Sequence, residues 1–270
     1  MKLIRLTIVE MRRALHRRLV RWMIVIAGLF CAFAGTVVFL TSANAAKFAH
    51  DEGHPARMVN WWTSGGTDNF LGVAAIFLVV GAAICGASVA GAEWRAGTMT
   101  TMLTWVPSRV RLHAARTWSA AVLSFVIGLL LQVLFLAAAL PAVMAHGTTE
   151  GTDAAWWTSL VLAMLRIALV TSLIAVLAVS IATIGRNTSA ALIALAGWAL
   201  VVERLVAGFW PKLARFMISE NVAIVVPWSP LRNADFERPA IVALIALLSY
   251  LAVVVAAATT LFARRDVAMT

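Results

Sequence analysis

The sequence predicts an all-α, polytopic membrane protein with six transmembrane helices. Of its 270 residues, 62% are hydrophobic and only 13% are charged, and the mean hydropathy is +0.92. A soluble domain is nearer half apolar and a quarter charged, so lipid must be the solvent for most of this chain. Six stretches are apolar and long enough to cross the hydrocarbon core as helices. They are Trp22–Leu40, Phe70–Ala92, Thr117–Ala145, Trp157–Ile184, Thr188–Val202 extended to Phe209, and Ala240–Ala263.

The segment before the first span, residues 1–21, is predicted to be an amphipathic helix on the membrane surface. At about 100° per residue, one set of apolar side chains shares a single face, and most of the basic side chains cover the other. Leu6 and Val9 break the pattern because they fall among the basic residues. The alternative is a straight extension of the first span into the cytosol. The apolar face consists of Ile4, Ile8, Met11, Leu15, Leu19 and Trp22.

A cleaved signal peptide is a second interpretation of the start of the chain. Ala43 and Ala45 supply the small residues of a cleavage site after the first apolar run. The basic region of some twenty residues and the long apolar run favour a retained span instead.

Small residues mark the second span. Ala82, Gly86 and Ala90 recur every four residues, which predicts close packing against another helix backbone. Cys31 and Cys85 both lie in apolar runs and are interpreted as small buried hydrophobic residues.

The distribution of basic residues predicts that both termini are cytoplasmic. With the N-terminus inside, 14 Lys and Arg residues fall on the cytoplasmic side and 7 on the other. Cytoplasmic loops of membrane proteins carry such an excess. The net charge of +10 is therefore assigned to anionic lipid headgroups and orientation, and no nucleic-acid partner is expected.

The sequence argues against an enzyme. None of the lysines, Lys2, Lys47 and Lys212, follows Gly, so the chain lacks the Gly-Lys-Ser or Gly-Lys-Thr of a P-loop. The aspartates are scattered over loops and the tail, which leaves no carboxylate cluster for a metal. His50 and His54 lack the residue order of a zinc protease helix. No cofactor is expected on this chain itself.

The basic loop 93–116 is the most informative segment. Met99, Met102, Leu103 and Val106 recur at helical spacing between Glu93 and Pro107. A short amphipathic helix between two spans can dock into a groove on a soluble partner. The alternative is a plain surface loop that anchors the spans.

The same loop resembles the one that follows the second span in ABC transporter permeases of the ABC-2 type. The resemblance rests on Glu93-x-x-x-Gly97-Thr98, Leu103-Thr104 and Pro107-Ser108-Arg109, together with the basic N-terminal helix containing Glu10 and the six spans. It implies a bacterial plasma-membrane exporter made of two permease copies and two ABC ATP-binding subunits, with ATP and Mg held by the latter. It also implies a pathway at the permease dimer interface. The residues expected to contact the ATPase are Glu93, Arg95, Gly97, Thr98, Met99, Met102 and Leu103.

Three polar residues within apolar runs require explanation, because unpaired polar groups are costly in lipid. Arg166 and Glu203 both fall in the outer half of the bilayer, so a structural ion pair is the favoured interpretation. Snorkelling of Arg166 and substrate contact are the alternatives. Gln132 is expected to form a hydrogen bond between helices.

The segment 203–239 is expected to form short helices outside the last span. Pro211, Pro227 and Pro230 divide it, and the stretch Asn221–Val226 is too short to cross a membrane. In the resembling family such helices cap the pathway as an extracellular gate, and an ordinary exposed loop is the alternative.

The expected function is that of a permease moving an apolar or amphipathic substrate outward. Two other classes remain open: a non-transporting membrane scaffold or sensor subunit, and an unrecognised integral-membrane enzyme.

Overall fold

The computed structural model describes residues 3–44, 52–63, 69–229 and 237–265, and over these ranges the protein is all-α. Six of its helices are long and apolar enough to cross a membrane. The chain is therefore a multi-pass membrane protein, as predicted. Ala45 of the candidate cleavage site and residues 230–236 of the segment 203–239 lie outside the described residues.

The spans predicted from hydropathy coincide with helices that are mostly longer. The third of these helices, Arg109–His146, has 38 residues because it continues through the polar stretch before Thr117. A short 3₁₀ turn, Met58–Trp61, precedes the second span. The described α-helices are α1 (Leu3–His16), α2 (Arg18–Ser42), α3 (Phe70–Arg95), α4 (Met99–Trp105), α5 (Arg109–His146), α6 (Ala154–Gly185), α7 (Thr188–Phe209, with a π-helical segment Trp198–Val202), α8 (Pro211–Ala214), α9 (Ile218–Val225) and α10 (Ala240–Arg264).

Side-chain caps mark where several spans begin. Asn69 accepts from Gly72 N–H at 2.8 Å, and Asp153 accepts from Trp156 N–H at 2.7 Å. Asn187 accepts from Ser189 N–H at 2.8 Å, directly after the tight turn between α6 and α7. These caps satisfy backbone donors that have no partner in the first turn of a helix.

The N-terminal helix is separate from the first span, so the straight extension is wrong. Arg17 has an extended backbone (φ −66°, ψ 132°) between α1 and α2. Ile4 and Trp22, on the predicted apolar face, are 73% and 65% exposed, as residues facing lipid would be. The opposite side carries a second stripe that packs against the protein, which explains why Leu6 breaks the surface pattern. That buried stripe is Leu6, Glu10 and Ala14.

Helix α6 is the centre of the bundle. In its most apolar window, 72% of the residues are buried, against 11–39% in the other spans. It packs against α3, α5, α7 and α10. The small-residue pattern of α3 has the predicted role, because Gly86 lies directly against Ala175 of α6 and both Ala82 and Ala90 are buried.

Replacing Gly86 by Leu is expected to separate α3 from α6. A Cβ at Gly86 would lie 2.5 Å from the carbonyl oxygen of Ala175, which is backbone and cannot yield cheaply. Overpacking of this kind costs about 1–3 kcal/mol or more. The apparent melting temperature in detergent, read by size-exclusion chromatography after heating, should fall. Gly28→Leu is the control, because a Cβ there has no neighbour within 4 Å; equal melting of the two variants would contradict the prediction.

The two ends of the bundle differ in charge. At one end, called the basic end below, α1 and α4 meet the start of α2 and α5 and the end of α3. The opposite end, called the far end, carries the 3₁₀ turn and the short helices α8 and α9. There Trp62 donates to Ser159 Oγ at 2.8 Å, and Trp156 donates to the carbonyl of Trp62 at 3.0 Å.

Candidate functional site

A buried cluster of charged residues at the basic end joins four segments of the chain. Glu10 comes from α1, Glu93 from the end of α3 and Arg116 from α5. All three are at most 4% exposed. Arg13 and Arg17, which are more exposed, complete what we call the charge cluster.

Glu93 is the centre of the charge cluster. Its Oε2 pairs with Arg116 Nη2, and its Oε1 lies 2.9 Å from Arg17 Nη2 and 3.2 Å from Arg13 Nη2. Glu10 pairs with Arg13 at 2.9 Å, and its Oε2 is 3.8 Å from Arg116 Nε. Three guanidinium groups thus share two carboxylates. The geometry connects α1, α3 and α5 through one residue, Glu93.

The arginines of the cluster also bind backbone and sulfur atoms. Arg17 donates to the carbonyls of Ser88 and Val89 at 2.6 and 3.1 Å, near the end of α3. Burial, and then the nearby Arg13, lower the pKa of Arg17, whereas Glu10 raises it. Arg13 reaches the sulfur of Met102 at 2.8 Å. The cluster therefore also contacts the loop helix α4.

The turn between α3 and α4 requires a glycine. Gly97 has φ +66°, a conformation that side chains disfavour. Its N–H donates to the carbonyl of Trp94, and the N–H of Thr98 donates to the carbonyl of Glu93. These two bonds form a Schellman motif, which ends α3 and sets the direction of α4. The same backbone that holds Glu93 in the cluster thus positions the loop helix.

Helix α4 turns its apolar face inward, so part of the predicted ATPase contact set is covered by this chain itself. Met99 is 2% exposed and packs with Leu112 and Phe262; Met102 and Leu103 are partly buried against the same group. Glu93 is buried in the charge cluster. These residues support α4 from within, because their hydrophobic and ionic partners are in this chain.

The surface that α4 does expose lies on its other face. Thr101, Thr104 and Trp105 are exposed, and Trp105 is 83% accessible. Gly97 and Thr98 are exposed in the turn before it. Of the predicted contact residues, Arg95, Gly97 and Thr98 are therefore on the surface; Arg95 also reaches Ser189 Oγ on α7 at 3.4 Å.

At the far end, Glu203 binds the start of a short helix. It is 3% exposed and accepts from Ile218 N–H and Ser219 N–H, both at 2.9 Å. It also accepts from Trp198 Nε1–H at 2.7 Å. A carboxylate at a helix N-terminus satisfies free backbone donors and the helix dipole. Glu203 thus ties α7 to α9.

The predicted ion pair between Arg166 and Glu203 is not formed. Arg166 lies over the ring of Trp228, 5.1 Å from its centroid, and donates to the carbonyl of Val226 at 3.5 Å. Three N–H donors, two from α9 and one from Trp198, already satisfy Glu203, so neither charge is stabilised by the other. Gln132 forms the expected bond between helices, from its Nε2 to the carbonyl of Met164 at 3.3 Å.

The described part of the segment 203–239 contains helices α8 and α9, in agreement with the predicted short helices. Asn221, predicted at the start of the short element, is fully buried inside α9. Arg238 donates to Asn221 Oδ1 at 2.6 Å and to the carbonyl of Arg215 at 2.5 Å, which connects the two ends of the segment.

Sequence reasoning identified Glu93 but missed its partners Arg13, Arg17 and Arg116. One signal was available. Glu10 and Glu93 are the two acidic residues among the many basic ones that flank the first three spans on the predicted cytoplasmic side. Acidic residues so placed require arginine partners if they are buried.

Comparisons with family models and with curated proteins find no match to this chain.

Proposed function

We propose that this chain is the membrane-spanning permease subunit of an ATP-driven ABC exporter, working as a homodimer with two separate ATP-binding subunits. The geometry of the loop helix carries the proposal. Helix α4 exposes Thr101, Thr104 and Trp105, while Met99 on its other face anchors it to the bundle. A soluble partner can dock on such a face, and its movement would act on a helix that is fixed from behind.

The charge cluster gives that helix a mechanical connection to the spans. A force on α4 passes through the Schellman turn to Glu93, and from Glu93 to Arg116 on α5 and Arg17 at the start of α2. Packed elements and ion-pair networks carry coupling of this kind. ATP-driven closure of the partner subunits would then move the ends of three helices together.

The proposal includes an orientation in a bacterial plasma membrane, with both termini and the basic end in the cytoplasm. The excess of Lys and Arg at the basic end supports it. The least buried span, α7, presents apolar residues such as Ile193 and Leu200, 72% and 69% exposed, which suit either lipid or the second copy. The substrate would be apolar or amphipathic and would leave the cell between the copies.

Site-specific photo-crosslinking tests the assignment. A photoreactive phenylalanine in place of Trp105 is expected to capture, in native membranes, a protein with Walker motifs. The same group in place of Met99, six residues earlier and 2% exposed, should capture none. Capture of an ATP-binding protein from Trp105 alone would support the docking face.

Two other results would contradict the assignment. No nucleotide-binding protein captured from Trp105, in cells shown to express the chain, would favour a scaffold or sensor subunit. Catalytic turnover by the purified chain without ATP would favour a membrane enzyme.

A further inference from the structure

A π-helical segment, Trp198–Val202, interrupts the span α7. The N–H of Glu203 donates to the carbonyl of Trp198, five residues earlier, whereas an α-helix would use the carbonyl four residues earlier. Single π-helical turns inside α-helices are rare and often mark functional sites. This segment ends directly before Glu203, the carboxylate that binds the start of α9. Its position therefore points to a role in aiming that carboxylate.

The π-helical segment brings the side chains of Trp198 and Glu203 to the same side of α7. In an α-helix, residues five apart lie about 140° apart around the axis. In a π-helical turn the backbone hydrogen bond joins residues five apart, so these two lie nearly one above the other. Trp198 Nε1–H donates to Glu203 Oε1 at 2.7 Å, a contact that a straight α-helix would disfavour. A backbone bond and a side-chain bond thus join the same two residues.

Packing against other helices does not hold the π-helical segment in place. Trp198 and Leu200 are 45% and 69% exposed, and no residue of the segment is buried. The part of α7 before the segment, Thr188–Gly197, packs against α3 and α6. The part after it, Glu203–Phe209, mainly contacts the segment itself and α8. The hydrogen bonds of Glu203 to Trp198 and to α9 are therefore what fixes this form of the span.

We propose that the π-helical segment is a conformational switch that holds and releases α9. In the π-helical form it aims Glu203 at the first N–H groups of α9. When these bonds break, the segment returns to an α-helix, because π-helices are far rarer than α-helices. The rest of α7 then rotates by roughly 100°, the angle of one residue, and Glu203 turns away from α9. Use of the switch in a gate rests on the exporter function proposed above, whereas the switch itself needs neither ATP nor a partner.

The distance between two spin labels on α7 tests the switch. The labels replace Ile193, before the π-helical segment, and Leu205, after it; both are exposed. They are placed in the full chain in detergent, with its two cysteines replaced by alanine, and labelled chains are diluted with unlabelled ones. Glu203→Ala should lengthen the distance by about 6 Å, because the two labels share a face in the π-helical form but lie about 120° apart on a continuous α-helix. Glu220→Ala, which removes a neighbouring carboxylate in α9, should leave the distance unchanged.

Deletion of Leu200 separates the switch from the loss of the carboxylate. It leaves Trp198 and Glu203 four residues apart, which places them about 40° apart on one face of an ordinary α-helix. Glu203 can then still reach α9, so this chain should keep the short distance between the labels. Adding Glu203→Ala to it should not lengthen that distance. Trypsin cleavage at the exposed Lys212 and Arg215, before α9, should stay at the native rate in the deleted chain and rise when Glu203 is also replaced.

Two results would overturn the proposal. An unchanged distance in Glu203→Ala would show that this carboxylate does not hold the π-helical segment. Equal lengthening by Glu203→Ala with and without the deletion of Leu200 would show that α7 loosens generally and that the π-helical segment is not the element that changes. Both measurements are made without ATP or a partner protein, so their failure is distinguishable from failure of the exporter assignment.

Discussion

Replacing Glu93 by Gln is expected to be among the most destabilising single changes in the chain. The variant leaves Arg13, Arg17 and Arg116 with Glu10 as the single carboxylate of the cluster. Removing one partner from a buried ion pair costs about 3–5 kcal/mol, because the remaining charge stays buried without compensation. The apparent melting temperature of the purified protein should fall sharply, and less folded protein should be recovered from membranes.

A double variant tests whether Glu93→Gln destabilises the protein by breaking the ion pair with Arg116 or only by a loss of packing. Arg116→Met should destabilise by a similar amount, since it leaves both carboxylates with fewer donors. Combining Glu93→Gln with Arg116→Met should cost clearly less than the sum of the two, as expected for groups in direct contact. Arg95→Gln, two residues from Glu93 but exposed, is the control and should change stability little. Additive effects of Glu93→Gln and Arg116→Met would show that the two residues do not act as a pair.

The spans could be predicted from the sequence because lipid imposes a simple rule. A helix of about 20 apolar residues satisfies its own backbone, so hydropathy alone locates it. The rule concerns composition along the chain and does not show which helices pack against one another. For this reason hydropathy locates all six spans, whereas the polar residues 109–116 that begin helix α5 carry no such signal.

The orientation of α4 shows that the helical spacing of apolar residues does not identify what their face packs against. The spacing of Met99, Met102 and Leu103 correctly predicted one apolar face. It did not reveal whether that face meets a partner or this chain, because both environments favour the same residues. Phe262, which contacts Met99, lies at the other end of the sequence. The apolar residues therefore anchor α4, and the proposed docking face is the exposed one with Thr101, Thr104 and Trp105.

Arg166 and Glu203 illustrate a second limit. Counting residues from the ends of their spans estimates depth, and both are near the far end. Depth does not determine the direction in which a side chain points around its helix axis. Arg166 faces Trp228, and Glu203 faces the first N–H groups of α9. Partners contributed by the segment 203–239 can be identified only once its fold is known.

Replacing Glu203 by Ala is expected to release the short helix α9 at the far end. The change leaves two backbone N–H groups, of Ile218 and Ser219, and the indole N–H of Trp198 without their acceptor. These three hydrogen bonds are part-buried, and each donor left unsatisfied costs up to about 1–3 kcal/mol. This cost acts on the contact between α7 and α9, so α9 should detach locally while the spans stay folded.

Protease sensitivity provides the measurement. Lys212 and Arg215 are exposed on and just after α8. In sealed vesicles with the outer face exposed, trypsin should cleave there faster in Glu203→Ala than in the native chain, with the melting temperature changed much less. Glu220→Ala removes a carboxylate from the first turn of α9 that accepts no hydrogen bond from the described residues, and it should leave the cleavage rate unchanged.

Cleavage at the native rate in Glu203→Ala would show that other contacts, such as Arg238 with Asn221, hold the segment in place. Faster cleavage would have a wider meaning. Glu203 lies in the span α7, and two of the three N–H groups that donate to it lie at the start of α9. A movement of α7 would then be transmitted to α9 through one carboxylate, which is the connection that the gate role expected for the segment 203–239 requires.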